Sequence, residues 1–208
     1  MCIAIVKPQG KNISDSNFLS GFTANPDGVG FAYAHEGKLY VKKGYFDAQE
    51  ALNAIREVQE QYDNPTMIIH GRYASHGDVN EDNCHPFNVS DTLAVIHNGI
   101  MPSPYTALAY KSRGKYSDTH FYNERILKPL FKHEPDFYKK DSTMLRLESH
   151  ITQGNKLCFL DSEGFYSIAN EQSGFWDTDG CWYSNGSCHR RAYEANPFTL
   201  KASLLGAF

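Results

Sequence analysis

Immediately after Met1 the chain reads Cys2, Ile3, Ala4, Ile5 and Val6, an apolar run that stops at Lys7 and Pro8. A run this short and this rich in β-branched residues reads as a buried strand. The chain therefore enters a core almost at its amino terminus, and everything that follows has to pack around that first strand.

The next segments supply the partners. Residues 28–35 alternate small and aromatic side chains, Glu36 and Gly37 punctuate, and residues 38–43 resume a strand pattern, which together predict a β-hairpin. Asp47 is a helix N-cap with Glu50 three residues on, and Leu52, Ile55, Val58 and Tyr62 fall on one helical face. Residues 66–74 and 92–97 read as two further inner strands, joined by a polar loop that holds His76, Asn83, His85 and Pro86.

Helical spacing returns over 119–131 after a cap at Ser117 or Asp118, and Pro129 is expected to end or kink that helix. Another helix is expected over 142–151, a second hairpin over 156–162 and 165–169 around Glu163 and Gly164, and a last strand over 181–184. Strands in two groups with helices between and after them predict an α+β layered domain. At 208 residues the chain fits one domain, 1–208, with a tail from about 189.

Composition narrows the function. With 41% apolar and 21% charged residues the chain is ordinary globular protein. A formal net charge of −4 argues against a nucleic-acid binder that works by neutralising phosphates, and Arg190 and Arg191 read as solvated surface. No apolar run approaches the roughly 18 to 20 residues that span a bilayer, and the opening stretch is too short for a signal peptide. Five cysteines without an export signal read as free thiols in a cytoplasmic protein. Their spacing fits no zinc site, so neither metal nor cofactor is expected.

Cys2 is the most informative position, because removal of Met1 would leave a thiol and a free α-amine on one residue. That amine titrates near about 7.7–8.0, close enough to neutrality to take the proton from a thiol whose own pKa is about 8.5. By position alone, Cys2 is more simply a small apolar residue at the head of a strand.

Three later segments change that reading. Arg72-Tyr73-Ala74-Ser75-His76-Gly77 leaves an inner strand for a loop, and Arg72 has the planar fork that grips a carboxylate through two parallel hydrogen bonds, on a substrate or in a structural ion pair. His97-Asn98-Gly99 ends an apolar strand in what is normally a tight hairpin turn. Pro102 and Pro104 follow too closely for a partner strand, and an Asn amide beside a Gly N–H is also a pair of donors for an oxyanion. Ser117-Asp118-Thr119 is a helix cap in which one side chain can cap while Asp118 faces a substrate ammonium.

In this order, with Asn83-Cys84-His85-Pro86 between them, these segments resemble the class II glutamine amidotransferases, closely over about the first 120 residues and more weakly over 156–186. The resemblance implies a four-layer αββα N-terminal-nucleophile hydrolase sandwich of two stacked antiparallel sheets. It implies Cys2 as nucleophile, Asn98 and Gly99 as the oxyanion hole, Arg72 on the glutamine α-carboxylate and Asp118 on its α-ammonium, with Ser75 and His76 lining the pocket.

The sequence departs from the family pattern at Tyr73, Ser75 and His120, and residues 25–30 look like those of compact stand-alone members, some phage-encoded and acting in a host cytoplasm. The implied substrate is L-glutamine. The implied partner is a separate ammonia-accepting synthase subunit, since about two dozen residues remain after the last expected strand. The alternatives are hydrolysis of another small amide, or a non-catalytic binding module.

Overall fold

A computed structural model describes residues 2–189. The expectations placed on Met1, on Arg190 and Arg191, and on the tail beyond residue 189 lie outside the described residues.

Among the described residues ten strands form two antiparallel sheets. The first is six-stranded, in the order β3 (Lys38–Tyr45), β2 (Val29–His35), β4 (Met67–Gly71), β1 (Ile3–Lys7), β10 (Trp182–Tyr183), β9 (Phe175–Trp176). The second is four-stranded, in the order β5 (Phe87–Ser90), β6 (Leu93–Asn98), β7 (Lys156–Asp161), β8 (Tyr166–Ala169). The opening strand is central, with all five residues buried and a neighbour on each side.

Alternation sorts its side chains into two layers. Ala4 and Val6 face the other sheet and pack with Ala94, Ile96, Cys158, Leu160 and Trp182. Ile3 and Ile5 face α1 (Asp15–Thr23) and α2 (Ala48–Gln61), through Phe18, Phe22, Leu52 and Ile55. The outer face of the second sheet packs, through Val95, Leu157 and Phe159, on Tyr105, Tyr122, Leu127 and Leu147 of the helices beyond it. The layers run helix, sheet, sheet, helix, as the resemblance implied.

Local chemistry explains most boundaries. Glu36 and Gly37 turn the β2–β3 hairpin at φ +50° and +71°, the left-handed pair that matches strand twist. Asp47 caps α2 by accepting from Glu50 N at 2.8 Å. Ser14 caps α1, a helix without a counterpart in the expectations above. Three other elements were also unforeseen: the edge strand β5, inside what reads as the end of a polar loop, α3 (Tyr105–Lys111), and the two-residue edge strand β9.

Pro129 neither ends nor breaks its helix. α4 (Asp118–Tyr122) runs through a π-helical turn, Asn123–Leu127, into α5 (Lys128–His133), with Pro129 at the start of α5. The wider turn just before the proline takes up the ring and the missing N–H. α6 (Asp141–Ile151) completes the layer. Among the described residues no helix is long and apolar enough to cross a membrane.

Candidate active site

The site forms where β1, β4 and β6 begin or end. Cys2 immediately precedes β1, and antiparallel pairing of Ile3 with Gly71 sets it beside the exit of β4. Tyr73 lies there, and its backbone meets the Cys2 thiol twice: Tyr73 N donates to Sγ at 3.3 Å, and Sγ lies 3.4 Å from Tyr73 O. Asn98 comes from the facing sheet at the end of β6 and donates its side-chain amide to the Cys2 carbonyl. Burial pushes the Cys2 thiol up from its ordinary pKa, opposed by the Tyr73 backbone hydrogen bond and the Arg72 charge, while Asp118 adds to the rise. A thiol held in this way needs a base to become a nucleophile.

Gly99 has φ +140°, and a β-carbon there would lie 2.3 Å from Asn155 Oδ1. Glycine is required twice over, by conformation and by the wall behind it. Among the described residues its N–H has no hydrogen-bond partner, which leaves a free donor next to the Asn98 amide. No return strand follows, and the segment goes instead to Met101, whose N–H donates to Asp118 Oδ2 at 2.7 Å.

Asp118 and Ser117 divide the work at the start of α4. Ser117 Oγ takes the capping bond from His120 N at 3.2 Å. The Asp118 carboxylate, 5% exposed, accepts from the N–H groups of Met101 and Thr119, with the Thr119 hydroxyl 3.5 Å away. Among the described residues no lysine or arginine comes within 4.0 Å of it; the one basic neighbour is His76 Nδ1, at 4.0 Å. A buried carboxylate without a fixed cation is an unbalanced charge, and an incoming ammonium would balance it.

His76 is itself nearly enclosed, its ring edge-on to Tyr110 and both ring nitrogens buried without a hydrogen-bond partner. Ser75 is exposed on the same loop. Arg72 is 3% exposed and donates to three loop carbonyls: from Nη1 to Asp78 O at 2.8 Å, and from Nη2 to His76 O at 2.9 Å and Gly77 O at 2.8 Å. These bonds leave part of its five-donor capacity unspent.

The contacts form a closed ring: Cys2 to Asn98, through Gly99 and Met101 to Asp118, to His76, to Arg72, and through Tyr73 back to Cys2. The sequence places those groups up to 116 positions apart (118 − 2). A cavity of 670 Å³ elsewhere, lined by Tyr122, Ile126, Leu130, Arg146 and His150 among others, contains none of them.

A buried histidine cluster stands behind the ring. His97 Nε2 lies 2.8 Å from Asn155 Oδ1, and its Nδ1 lies 2.7 Å from Thr119 Oγ1. His70 Nε2 meets His97 O at 2.9 Å, and the His85 ring stands edge-on to His70. Burial lowers the pKa of all three, His70 to about 3, so they are neutral at physiological pH. For His97 the Asp118 charge and the Asn155 hydrogen bond oppose the effect. The motif reading quoted His85 and His97 without giving either of them this supporting role. Asn155, and Asn185, whose side chain donates to the Cys2 carbonyl, were missed altogether, since nothing in the local sequence signals either contact.

No family model matches the chain. Curated proteins do. The glutamine–fructose-6-phosphate aminotransferase (isomerizing) of Caldanaerobacter subterraneus is 40% identical over 78 residues, 36% of this chain and 12% of that protein. The enzyme of the same name from Chlorobaculum tepidum is 33% identical over 133 residues, 63% of this chain and 20% of that protein. The chain is homologous to the class II glutamine amidotransferases.

The amidotransferase fold recurs in the glutamine phosphoribosylpyrophosphate amidotransferase of B. subtilis, solved with ADP and GMP. That structure superposes with a TM-score of 0.56 at 16% identity, over 92% of this chain and 43% of the other, which supports the fold alone. The matched segments span a fifth or less of the length of the two curated amidotransferases named here.

Proposed function

We propose that the protein hydrolyses the side-chain amide of free glutamine, with Cys2 as the nucleophile once Met1 has been removed. The Cys2 thiol gives its proton to its own α-amine and attacks the carboxamide carbon. The oxyanion forms between the Asn98 amide and the Gly99 N–H. Collapse expels ammonia, which takes the proton back from the amine, and leaves a γ-glutamyl thioester that water opens to glutamate. Asp118 recognises the α-ammonium, Arg72 the α-carboxylate through its remaining donors, and Ser75 and His76 line the pocket.

The observation that carries this reading is the closed ring of contacts joining Cys2, Asn98, Asp118, His76 and Arg72. Its test is glutamate release by the Met-processed protein beside Cys2→Ala, with trapping of the thioester by mass spectrometry. Equal release by both proteins rejects it.

The ammonia is handed to a separate acceptor-binding subunit, within a single-domain organisation of this chain. The five free cysteines, four of them buried, fit work in a reducing cytoplasm. A second reading rests on Arg72: three of its hydrogen bonds go to loop carbonyls, which favours a small amide substrate that carries the ammonium but makes less of a carboxylate. Comparing kcat/KM for free glutamine and for glutamine amidated at its α-carboxyl separates the two.

A further inference from the structure

The chain contains two Asn-Gly dipeptides, 98–99 and 185–186, and both end a strand pattern beside Cys2. The first belongs to the oxyanion proposal. The second has the ordinary sequence signature of a turn, yet its Asn does something else. Asn185 Nδ2 donates to the Cys2 carbonyl oxygen at 2.7 Å, the same atom that Asn98 Nδ2 reaches from the opposite sheet. A carbonyl has two lone pairs and can accept both.

Asn185 is itself held in place. Its Oδ1 accepts from Ser187 N at 3.0 Å, and its Nδ2 lies 3.3 Å from Ser184 Oγ. Ser184 in turn pairs with Ala4 on both sides, donating from N to Ala4 O and accepting at Oγ from Ala4 N, each at 2.9 Å. The segment after β10 thus carries the β1–β10 ladder one residue beyond the Ile5–Tyr183 pair, to Ala4 and Ser184, and the Asn185 side chain then reaches Cys2. From the other edge of β1, Tyr73 holds the thiol.

We propose that Asn185 is a positioning residue for the nucleophile, fixing the main chain of Cys2 so that the Asn98 amide is free to serve the oxyanion. This rests on the glutamine-hydrolysis reading. Once Met1 is gone, Cys2 is a chain end with one peptide neighbour, and chain ends fray unless they are tied down. An attacking sulfur tolerates little misplacement. Asn98 Nδ2 carries two hydrogens, one on the Cys2 carbonyl and one left for the tetrahedral adduct, so a tie made by Asn98 alone would shift as the adduct forms. Asn185 lies outside that competition: it approaches Cys2 from the β10 side, and its own carbonyl and amide are spent on residues 184–188 and Cys2.

The test compares wild type with Asn185→Ala, with the near-isosteric Asn185→Leu, and with Ser187→Ala as a neighbouring control. Two readouts are taken: kcat and KM for glutamine, and the rate at which iodoacetamide alkylates Cys2, followed by peptide mass. Loss of positioning lowers kcat by about 10- to 100-fold, leaves KM within about twofold, and slows Cys2 alkylation in both Asn185 variants, while Ser187→Ala stays close to wild type.

A kcat within about twofold of wild type in a folded Asn185 variant overturns the proposal. So does failure of both variants to fold, which would make the residue structural. If wild type itself releases no glutamate, the hydrolysis reading fails, and the alkylation rates still decide the part played by Asn185: equal rates in wild type and variants reject it.

Discussion

His97 Nε2 donates to Asn155 Oδ1 at 2.8 Å, and that oxygen is the atom a side chain on Gly99 would strike. Asn155 cannot turn around, because its Nδ2 donates to Ile151 O. Its oxygen therefore faces His97, which fixes the His97 proton on Nε2 and leaves Nδ1 to accept from Thr119 Oγ1 at 2.7 Å. Thr119 adjoins Asp118, so one buried, neutral imidazole braces the wall behind Gly99 and the residue beside the Asp118 carboxylate. His97→Ala is expected to lose stability by about 1–3 kcal/mol for each buried partner left unsatisfied, and to lower kcat while raising KM. Urea unfolding and steady-state kinetics check this; a change in stability alone would show that His97 does not couple the two sides.

The proposed oxyanion donors, Asn98 and Gly99, are expected to be separable from substrate binding. Asn98→Ala is expected to lower kcat by roughly 100- to 1,000-fold with a small change in KM. Gly99→Ala should be at least as damaging, because the added carbon meets Asn155 Oδ1 at 2.3 Å and φ is +140°. Steady-state kinetics on folded variants, verified by circular dichroism, measure both; a kcat within tenfold of wild type for Asn98→Ala would remove it from the oxyanion hole.

Asp118→Asn removes a charge and keeps the shape, and an Asn oxygen can still accept from Met101 N, so the fold is expected to persist. The loss should fall on kcat/KM for free glutamine, about 10- to 100-fold, the range of a hydrogen bond to a charged group. N-acetylglutamine, which has no ammonium, should lose little. Equal losses on both substrates would mean that Asp118 does not read the ammonium.

The pH dependence of stability follows from the buried histidines. Burial lowers the His70 pKa to about 3, below the unfolded value of about 6.5. Its contribution is complete above pH 6.5 and is lost as pH falls toward 3, at about 1.4 kcal/mol per pH unit. His85 and His97 shift in the same direction. Unfolding free energy should therefore drop between pH 7 and pH 5 more steeply than one proton allows, and His70→Gln should reduce the slope. A flat profile over that range would contradict the burial of neutral imidazoles.

Much of the fold is written in local patterns. The opening strand, the Glu36-Gly37 hairpin, the helix capped by Asp47 and the 156–169 hairpin all follow from periodicity and turn chemistry that act within a few residues. β5 is hidden because its four residues alternate buried and solvated at a sheet edge directly after Pro86, and α1 because its short apolar face, Phe18 and Phe22, is set among small and polar residues. The helix around Pro129 continues because a π turn absorbs the proline, something a pattern of apolar spacings does not reveal.

The candidate site is legible as a list of motifs, and the contacts that support it are not. Cys2, Asn98, Gly99 and Asp118 stand in segments whose order is distinctive. Asn155 and Asn185 act through single hydrogen bonds to residues 58 and 183 positions away, and no local signal marks such a contact. Arg72 illustrates the converse: its fork suits a carboxylate, and only the folded chain shows three of its bonds going to the loop that carries His76.

The most direct test of the account is intact-protein mass spectrometry of the Met-processed chain, quenched in acid during turnover of glutamine, beside Cys2→Ala. The account predicts a γ-glutamyl adduct that maps to Cys2 in the wild type, with glutamate released, and neither adduct nor glutamate in the variant. An adduct on another cysteine, or equal glutamate release by both proteins, would contradict it.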